Sequence, residues 1–496
     1  MSPTTTATSA IAQAAPPTRM YLDGVWREAS NGAQVEVVDP VSELVIATVP
    51  NASDDDIDEA LAAAAVGFRI WRKVSAWERS AKLREMARII AAEADRFAMV
   101  LTAEMGKPLA QARGEIMATA DQFDWYADEA RRVYGRVVEA HTTDTRILVR
   151  REPIGPVAAF APWNFPSYLP ARKVAPALAA GCSVILVPPV EAPLSGLLLA
   201  EVADRVGIPA GVVGAITGDP ARISARLLAS DVIRKVSFTG SVPVGISLLK
   251  LAADGVKAVS MELGGHAPVL VFSDADLTTA AKVAAAGKFR NGGQVCIAAS
   301  RFLVHESIAD DFTEQFVAAT RALRVGSGFD ASSDVGPLGS ERRRAAVEGL
   351  VADAVGRGAS VAAGGSRPAD FTSGYFFEPT VLTGVTADMA VMSEEPFGPI
   401  APITTFASFD EGIAIANSTR YGLAGFVFTR DLATAFRASE ELEVGMVGVN
   451  QLTIATAEAP FGGVKASGFG REGGAEGLDG YTVTKYMSML LGDGPA

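Results

Sequence analysis

Cysteine and histidine are scarce in this sequence. The two cysteines, Cys182 and Cys296, cannot build a disulfide framework, so we expect an intracellular protein. The three histidines, His141, His266 and His305, lie far apart and show no metal-ligand spacing with one another or with a cysteine. The sequence therefore predicts that no metal is bound.

Basic residues are fewer than acidic residues in this chain. The chain has 44 Lys and Arg against 57 Asp and Glu, which gives a net charge of −13. This balance argues against nucleic acid and anionic membrane surfaces as partners, because both require a basic face. A small anionic ligand is still compatible with it, since a few arginines can form a local positive pocket.

Targeting and membrane signals are weak. Residues 1–17 contain no Lys or Arg, whereas a secretory signal needs a basic start and a transit peptide needs arginines. We therefore expect a disordered tail over residues 1–18 and a cytoplasmic location. The most apolar run, VAPALAAGCSVILVPPV, is interrupted by Gly181, Pro188 and Pro189 and does not predict a membrane span.

The order of apolar runs indicates an α/β fold. A chain of 496 residues is long enough for about three domains. From residue 157, short apolar runs such as VAAFAP and SVILVP alternate with helical stretches, as in βαβ units of a parallel sheet. A second alternation begins at HAPVLVF. GRVVEAH and TRILVRREPIGP predict a charged hairpin, and the late run GYTVTKYMSML could pair with it.

Two stretches suit ligand binding or base chemistry. VSFTGSVPVG reads as a strand end followed by a helix start, whose backbone N–H groups suit a pyrophosphate. An ordinary strand-to-helix turn explains the same pattern equally well. In MELGG, a buried Glu262 would have a raised pKa and could act as a general base. A helix-capping or salt-bridged glutamate is the alternative.

Two further stretches suit covalent chemistry. In APWNFP, the amide of Asn164 could donate to an oxyanion, although an ordinary turn asparagine is the alternative. In FRNGGQVC, the glycines permit close backbone approach to Cys296, and its polar setting favours a reactive thiol over a buried structural one. For Cys182, whose neighbours are apolar, we expect a structural thiol.

Taken in order, the motifs PWNFP, FTGS, ELGG, GQVC, EEPFGP and PFGGVKASGFGREG resemble the aldehyde dehydrogenase superfamily over nearly the whole chain after about residue 20. PALAAGCSVIL, FRNGGQVC and KYMSML are most similar to succinate-semialdehyde dehydrogenases. The resemblance implies a Rossmann-like NAD(P)-binding domain (19–134 and 157–264) and an α/β catalytic domain (265–465). It also implies a β-arm for oligomerisation (135–156 and 481–492), and hence a homodimer or homotetramer.

The resemblance also implies a reaction. Cys296 would attack the aldehyde to give a thiohemiacetal, whose oxyanion the Asn164 side chain and the Cys296 backbone N–H would hold. Loss of hydride to the nicotinamide leaves a thioester, and Glu262 would activate the water that hydrolyses it. Lys173 and Glu472 match residues that support proton transfer. The glycines before Cys296 would give the nicotinamide and the substrate access to the sulfur. The matched cofactor-binding residues are Pro162, Trp163, Gly218, Phe238, Gly240, Ser241, Leu263, Glu395 and Phe397.

Substrate choice depends on two arginines. Arg172 and Arg290 match the pair that grips a far carboxylate in succinate-semialdehyde dehydrogenases, which predicts a carboxylated semialdehyde, succinate semialdehyde first. Structural ion pairs are the alternative for both. The accompanying serine is replaced by Ala455, so a bulkier or aromatic aldehyde is the alternative substrate. Ala298 stands where some relatives have a second cysteine, which excludes a disulfide switch there.

Two rival functions are disfavoured by the same residues. CoA-acylating relatives typically lack the water-activating glutamate, so Glu262 favours hydrolysis. A non-catalytic binding or structural relative would lack Cys296 or Asn164, and both are present.

The adenosine end of the cofactor site departs from the family. In VILVPPVEAP, Val187 and Val190 stand where the family usually has a lysine and often a glutamate for the adenosine ribose. Glu191 lies one residue further on. With no cation for a 2′-phosphate, we predict NAD over NADP, bound more weakly than in a typical relative, although NADP is possible.

Overall fold

The computed structural model describes residues 3–492, with side chains from residue 7 onward. Its strands, in chain order, are β1 Met20–Leu22, β2 Val25–Arg27, β3 Gln34–Val38, β4 Val45–Pro50, β5 Arg136–Val138, β6 Thr145–Pro153, β7 Val157–Phe160, β8 Val184–Val187, β9 Val213–Ala215, β10 Lys235–Thr239, β11 Ala258–Glu262, β12 Ala267–Val271, β13 Ala299–His305, β14 Ser360–Ala363, β15 Thr380–Thr383, β16 Ile400–Phe406, β17 Ala424–Phe428, β18 Met446–Val449, β19 Gly468–Phe469 and β20 Thr482–Leu490.

The helices are α1 Pro3–Ala14, α2 Asp54–Trp71, α3 Ala76–Ala92, α4 Ala94–Met105, α5 Leu109–Glu129, α6 Tyr168–Ala180, α7 Pro193–Arg205, α8 Pro220–Ala229, α9 Val242–Asp254, α10 Leu277–Phe289, α11 Ala309–Arg321, α12 Glu341–Gly356, α13 Ala390–Ser393, α14 Phe409–Asn417, α15 Leu432–Glu441 and α16 Glu476–Asp479. No helix within residues 3–492 is long and apolar enough to cross a membrane.

The first sheet has eight strands in the order β19-β11-β10-β7-β8-β9-β1-β2. Its central strands β11, β10, β7, β8 and β9 are parallel, while β19 and β1–β2 add antiparallel edges. Every residue of β7 and β8 is buried, as expected for strands covered by helices on both faces. This confirms the predicted Rossmann-like sheet.

The second sheet has seven strands in the order β14-β15-β16-β13-β12-β17-β18, parallel except for β14. Its core includes aromatic side chains in mutual contact, such as Phe302, Phe312 and Phe316. The predicted second α/β unit is therefore present. The boundary that we place between residues 264 and 265 falls between β11 and β12.

A third sheet stands apart in the order β20-β6-β5. Strand β20 pairs antiparallel with β6 along its full length, from Thr482 opposite Pro153 to Leu490 opposite Thr145. The late β-rich run thus pairs with the charged hairpin, as its sequence suggests. Its role in oligomerisation stays a prediction.

The N-terminal segment differs from expectation. We predicted a disordered tail over residues 1–18, but residues 3–14 form α1, which packs on α4. Ala7, Ala10 and Ala14 recur on one face and are buried, and the Arg96 Nε of α4 donates to the Ala14 carbonyl oxygen at 2.7 Å. The alanines make a small apolar face that composition alone does not reveal.

The site lies where the parallel strands of the first sheet end. Thr239 and Glu262 are the paired last residues of β10 and β11, and Asn164 follows β7. Such carboxyl ends are the usual ligand edge of a parallel sheet. Residues 466–480, outside our predicted domain ranges, return to this edge through β19 and bring Glu472 with them.

Candidate active site

Cys296 lies just after a one-turn 3₁₀ helix, Arg290–Gly293, at the end of α10. Asn291, Gly292 and Gly293 all have positive φ, at 52°, 62° and 70°. A Cβ on Gly293 would come within 2.3 Å of the Gly398 carbonyl oxygen. The glycines are therefore needed for a left-handed turn and close packing against residue 398. That they also give the cofactor and the substrate access to the sulfur stays a prediction.

The Cys296 thiol is half-buried and free. Burial, and next the Glu395 carboxylate, raise the pKa of the Cys296 thiol to about 12, while the Arg172 cation opposes this shift. The thiol at rest is therefore protonated at neutral pH, and its activation requires a base. The other thiol, Cys182, is fully buried, and burial raises its pKa to about 11. This supports its structural role.

Asn164 is buried in the turn between β7 and α6. Its Nδ2 donates to the Gln294 carbonyl oxygen at 2.9 Å, which ties the amide to the segment that carries Cys296. An amide nitrogen has two N–H donors, so one remains for a ligand. Its Oδ1 has no partner. The geometry thus places an amide donor beside the cysteine segment.

Glu262 is 2% exposed, and neither carboxyl oxygen has a hydrogen-bond partner. Burial, and then the neighbouring Glu472 carboxylate, hold the pKa of Glu262 well above its ordinary value, while Lys173 and Arg172 oppose the shift. A buried carboxyl with two unbonded oxygens is suited to take up and release a proton. It also influences the pKa of Cys296, so the two groups share one site.

Lys173 and Glu472 form a buried ion pair behind Glu262. The Lys173 Nζ also donates to the Thr239 Oγ1 at 2.7 Å, so the last side chain of β10 fixes the ammonium. One Glu472 oxygen binds Lys173 and the other has no partner. The charges of the pair act on Glu262 in opposite directions, since the Glu472 carboxylate raises its pKa and the Lys173 ammonium lowers it.

Arg172, next to Lys173 on α6, is fully buried. Its guanidinium lies over the rings of Tyr168 (4.5 Å) and Phe461 (4.3 Å), and its Nη2 donates to the Tyr168 hydroxyl at 2.7 Å. Its Nε and Nη1 have no partner. Arg172 therefore makes no ion pair of the kind that the alternative interpretation requires, and two of its donors are left for an anion.

Arg290 and Ala455 lie at the outer part of the same region. Arg290 is exposed, its guanidinium lies 5.6 Å from the Phe165 ring centroid, and no ion pair involves it within residues 3–492. Ala455, Phe165 and Cys296 are half-buried and pack against the same core cluster. Ala455 thus packs on the same cluster as Cys296, and Arg290 lies beside Phe165 of that cluster.

Glu395 and Phe397 lie on the loop after α13. The Gly265 N–H donates to the Glu395 Oε1 at 3.0 Å, and a Cβ on Gly264 would lie 2.3 Å from Oε2. Burial raises the pKa of Glu395 to about 7. Phe397 has a φ of 41° and makes an edge contact with Trp163 at 5.7 Å. Gly264 therefore permits close approach to this carboxyl, whereas a Cβ on Gly265 would lie 2.5 Å from the Cys296 carbonyl oxygen.

The other predicted cofactor residues line the end of the first sheet. Ser241 is the exposed N-cap of α9 and makes no side-chain capping bond, and a Cβ on Gly240 would strike the Phe238 ring. Leu263 is buried, and Pro162 is half-buried before Trp163. Gly218, at a φ of 131°, packs against Asn51.

At the adenosine end, the structure agrees with the sequence pattern. Val187 is buried at the end of β8, Val190 is half-buried, and Glu191 is exposed. Glu104 accepts hydrogen bonds from the Leu194 and Ser195 N–H groups, so a protein carboxylate already occupies the start of α7.

Comparison with known proteins identifies this arrangement. Residues 26–487 match the model of the Aldehyde dehydrogenase family. The chain is 45% identical over 469 residues to 3-sulfolactaldehyde dehydrogenase of Pseudomonas putida, covering 95% of this chain and 96% of that protein. It is 43% identical over 470 residues to the succinate-semialdehyde dehydrogenase [NADP(+)] of Escherichia coli, covering 95% and 97%. A crystal structure of succinate-semialdehyde dehydrogenase from Burkholderia pseudomallei superposes with a TM-score of 0.94 at 44% identity, covering 96% and 98%.

The chain belongs to the aldehyde dehydrogenase family. It is accordingly an oxidoreductase that oxidises an aldehyde with NAD(P).

Part of the predicted cofactor site of this aldehyde dehydrogenase offers polar groups to a dinucleotide, and part does not. Glu395 offers an acceptor to ribose hydroxyls, and the free start of α9 at Ser241 suits a pyrophosphate. Val187 and Val190 offer nothing polar to the adenosine ribose. Within residues 3–492, no group of three or more His, Cys, Asp or Glu could hold a metal ion.

Several residues that we did not single out hold the dehydrogenase site together. Gln294 supplies the carbonyl for Asn164, and its Oε1 accepts from the Gly339 N–H at 2.8 Å. Thr239 fixes Lys173. Gln294 lies in GQVC and Thr239 in FTGS, so both residues could have been singled out from those motifs. Lys107 and Glu115 lie in the α4–α5 region, where no motif was recognised.

Proposed function

We propose that this aldehyde dehydrogenase acts on an aldehyde with an anionic group at its far end, succinate semialdehyde first. The observation that carries the proposal is Arg172, which is fully buried yet has two nitrogens without partners, on the helix that also holds Lys173. An isolated buried cation is costly, so a ligand anion is a natural partner. Arg290 adds a second cation near Phe165.

The similar proteins support an anionic substrate. Their names describe dehydrogenases of succinate semialdehyde, glutarate semialdehyde and 3-sulfolactaldehyde, and each of these aldehydes carries a carboxylate or a sulfonate. A sulfonate could accept from the same guanidinium nitrogens, and the 45% identity to the sulfolactaldehyde enzyme favours a sulfonated aldehyde as the second candidate. A bulkier or aromatic aldehyde is the third, because Ala455 leaves more room than a serine would.

Acylation depends on Cys296 and Asn164. Loss of the Cys296 thiol proton to solvent gives the thiolate, which adds to the aldehyde carbon. The free N–H of Asn164 and the Cys296 backbone N–H stabilise the resulting oxyanion. A nicotinamide cofactor, held where Glu395 and Phe397 lie, would supply the acceptor for the hydride lost from the thiohemiacetal carbon, and a thioester on Cys296 would remain.

Deacylation depends on Glu262. As a carboxylate it takes a proton from water, whose oxygen attacks the thioester carbon and releases the acid and the thiolate. The Lys173–Glu472 pair behind it provides a route for that proton to leave. Because this base is present, we propose hydrolysis and not transfer to CoA.

We further propose that NAD is preferred over NADP. The E. coli relative is named for NADP(+), but Val187 and Val190 give this chain no cation or hydrogen bond at the adenosine ribose. A 2′-phosphate would lie there without a counter-charge, whereas water can satisfy ribose hydroxyls.

The β20-β6-β5 arm supports a homodimer or homotetramer. Val137, Val483, Tyr486 and Leu490 are apolar and exposed on it, at 71%, 43%, 63% and 73% of their areas. An exposed apolar sheet marks an interaction surface, and a second copy of the arm is the partner we propose. Two free thiols, one of them at the site, support an intracellular location, which we propose to be the cytoplasm.

Steady-state kinetics with purified protein tests the proposal. We expect NAD-dependent conversion of succinate semialdehyde to the acid, unchanged by CoA, with kcat/KM above that for butanal and benzaldehyde. Higher kcat/KM for the uncharged aldehydes would contradict the anionic substrate. Appearance of an acyl-CoA would contradict hydrolysis.

A further inference from the structure

One face of α5 carries polar side chains toward the site although none of them belongs to the chemistry above. Glu115, Thr119 and Gln122 lie at spacings of four and three residues, which places them on the same side of the helix. All three are buried, at 5%, 0% and 0% exposure. Buried polar groups are costly unless they are bonded, so their partners indicate what this face does.

The partners of Glu115 are the start of α6 and Lys107. Its Oε1 accepts from the Ser167 N–H at 3.0 Å and the Tyr168 N–H at 3.2 Å. Ser167, the N-cap residue of α6, makes no side-chain capping bond itself, so Glu115 replaces the usual cap. Its Oε2 accepts from the Lys107 Nζ, and this ion pair is almost fully buried.

Lys107 completes the link to the oxyanion donor. Its Nζ donates to the Asn164 carbonyl oxygen at 3.0 Å and lies 3.9 Å from the Phe165 ring centroid. The Asn291 Nδ2 donates to the same carbonyl at 3.0 Å. The main chain of Asn164 is thus held on one side by the cysteine segment and on the other by Lys107.

We propose that the buried Lys107–Glu115 ion pair is a positioning pair for Asn164, fixing the turn that presents its amide to the oxyanion. The inference rests on the proposed role of Asn164 in acylation. Neither side chain touches the reacting atoms. Glu115 accepts from the N–H groups at the start of α6, and Lys107 donates to the Asn164 carbonyl oxygen. The pair therefore ties the turn that contains Asn164 to α5.

The rest of the face supplies an internal comparison. The Gln122 Nε2 donates to the Tyr168 hydroxyl at 3.4 Å, and that hydroxyl accepts from Arg172. This branch leads to the proposed anion donor and not to Asn164. Loss of the Lys107–Glu115 pair should therefore lower the rate of acylation for every aldehyde. Loss of the Gln122 contact with Tyr168 should raise KM for anionic aldehydes only.

The test uses the double variant Lys107→Met/Glu115→Gln. It removes both charges together, which avoids an unpaired buried charge, and the glutamine oxygen can still accept from the α6 N–H groups. We expect kcat/KM for both succinate semialdehyde and butanal to fall about tenfold or more, as displacement of a catalytic donor by about an ångström does. Pre-steady-state formation of reduced cofactor should slow by the same factor.

A double-mutant cycle with Asn164→Ala separates positioning from general stability. If the pair acts through Asn164, the double variant should cost little more in the Asn164→Ala background, because interacting residues are not additive. Equal cost in both backgrounds, or an unchanged acylation rate in the intact background, would overturn the proposal. Arg96→Met is the matched control, since Arg96 of α4 forms an ion pair with Glu201 away from the site. It should leave acylation unchanged.

Two controls keep the outcome interpretable. If Lys107→Met/Glu115→Gln does not fold, Glu115→Gln alone is measured, because its one amide oxygen cannot accept from both Lys107 and the α6 N–H groups, and Gln122→Leu is its control. The proposal then requires slower butanal acylation in Glu115→Gln and not in Gln122→Leu; unchanged butanal acylation in Glu115→Gln, or equal slowing by both variants, would overturn it. Wild-type turnover of the aldehydes is measured first, so absence of the proposed activity is distinguished from failure of the positioning pair.

Discussion

Replacing Arg172 by methionine should convert this enzyme from one that prefers anionic aldehydes to one that does not. Arg172 is fully buried, and its guanidinium lies between the rings of Tyr168 and Phe461. Methionine keeps much of the apolar volume and removes the charge. Since Arg172 has no carboxylate partner among the residues described, its loss leaves no buried anion unpaired.

The magnitude follows from the two free donors. The Nε and Nη1 of Arg172 have no partner, and each could bond the substrate anion. A hydrogen bond to a charged group is worth about 1.5–3 kcal/mol, and the two bonds will not add fully because they share one anion. We therefore expect kcat/KM for succinate semialdehyde to fall by about 10- to 100-fold relative to butanal.

The assay compares the two aldehydes in the wild type and in Arg172→Met. The Arg172 cation also opposes the raised pKa of the Cys296 thiol, so some loss common to both aldehydes is expected. Butanal measures that common loss, and only the ratio reports the anion. An equal fall for both aldehydes would refute the assignment of Arg172 to the substrate.

Three further predictions concern deacylation, cofactor choice and the β-arm. In Glu262→Gln, deacylation should slow by about 100-fold or more while a burst of reduced cofactor remains. Burial raises the pKa of Glu262, and only its deprotonated form is a base, so the rate of wild-type deacylation should increase with pH. This increase should vanish in Glu262→Gln. Single-turnover rates with the same pH dependence in wild type and variant would contradict this. Val187→Lys should tighten NADP about tenfold in a fluorescence titration and NAD less, and tight NADP binding by the wild type would contradict the expected preference. The wild type should sediment as a dimer or tetramer, and Tyr486→Asp on the arm should weaken that assembly; a monomeric wild type would contradict the arm's role.

The proposed catalytic residues could be named from the sequence because each lies in a short motif. Glu262 ends an apolar strand before two glycines, and Asn164 lies in a strand-to-helix turn, so local patterns placed both at one sheet edge. The alternation of strands and helices likewise predicted both large sheets. What local patterns could not show is the identity of partners distant in sequence.

Three features of the structure could not be predicted from the sequence. Lys107 and Glu115 bond to residues more than fifty positions away, and nothing in the surrounding helical sequence marks them. The helix at residues 3–14 was missed because three alanines carry too little hydrophobic signal. The glycines before Cys296 were recognised, but their contact with residue 398 became visible only in the folded chain.

The central claim is that Cys296 carries the substrate as a thioester. Glu262→Gln, incubated with succinate semialdehyde and NAD and quenched within the burst, should yield a peptide in which Cys296 bears a succinyl group. Cys182, fully buried, is the internal control and should stay unmodified. Reduced cofactor formed without any adduct, or an adduct on another residue, would contradict the account.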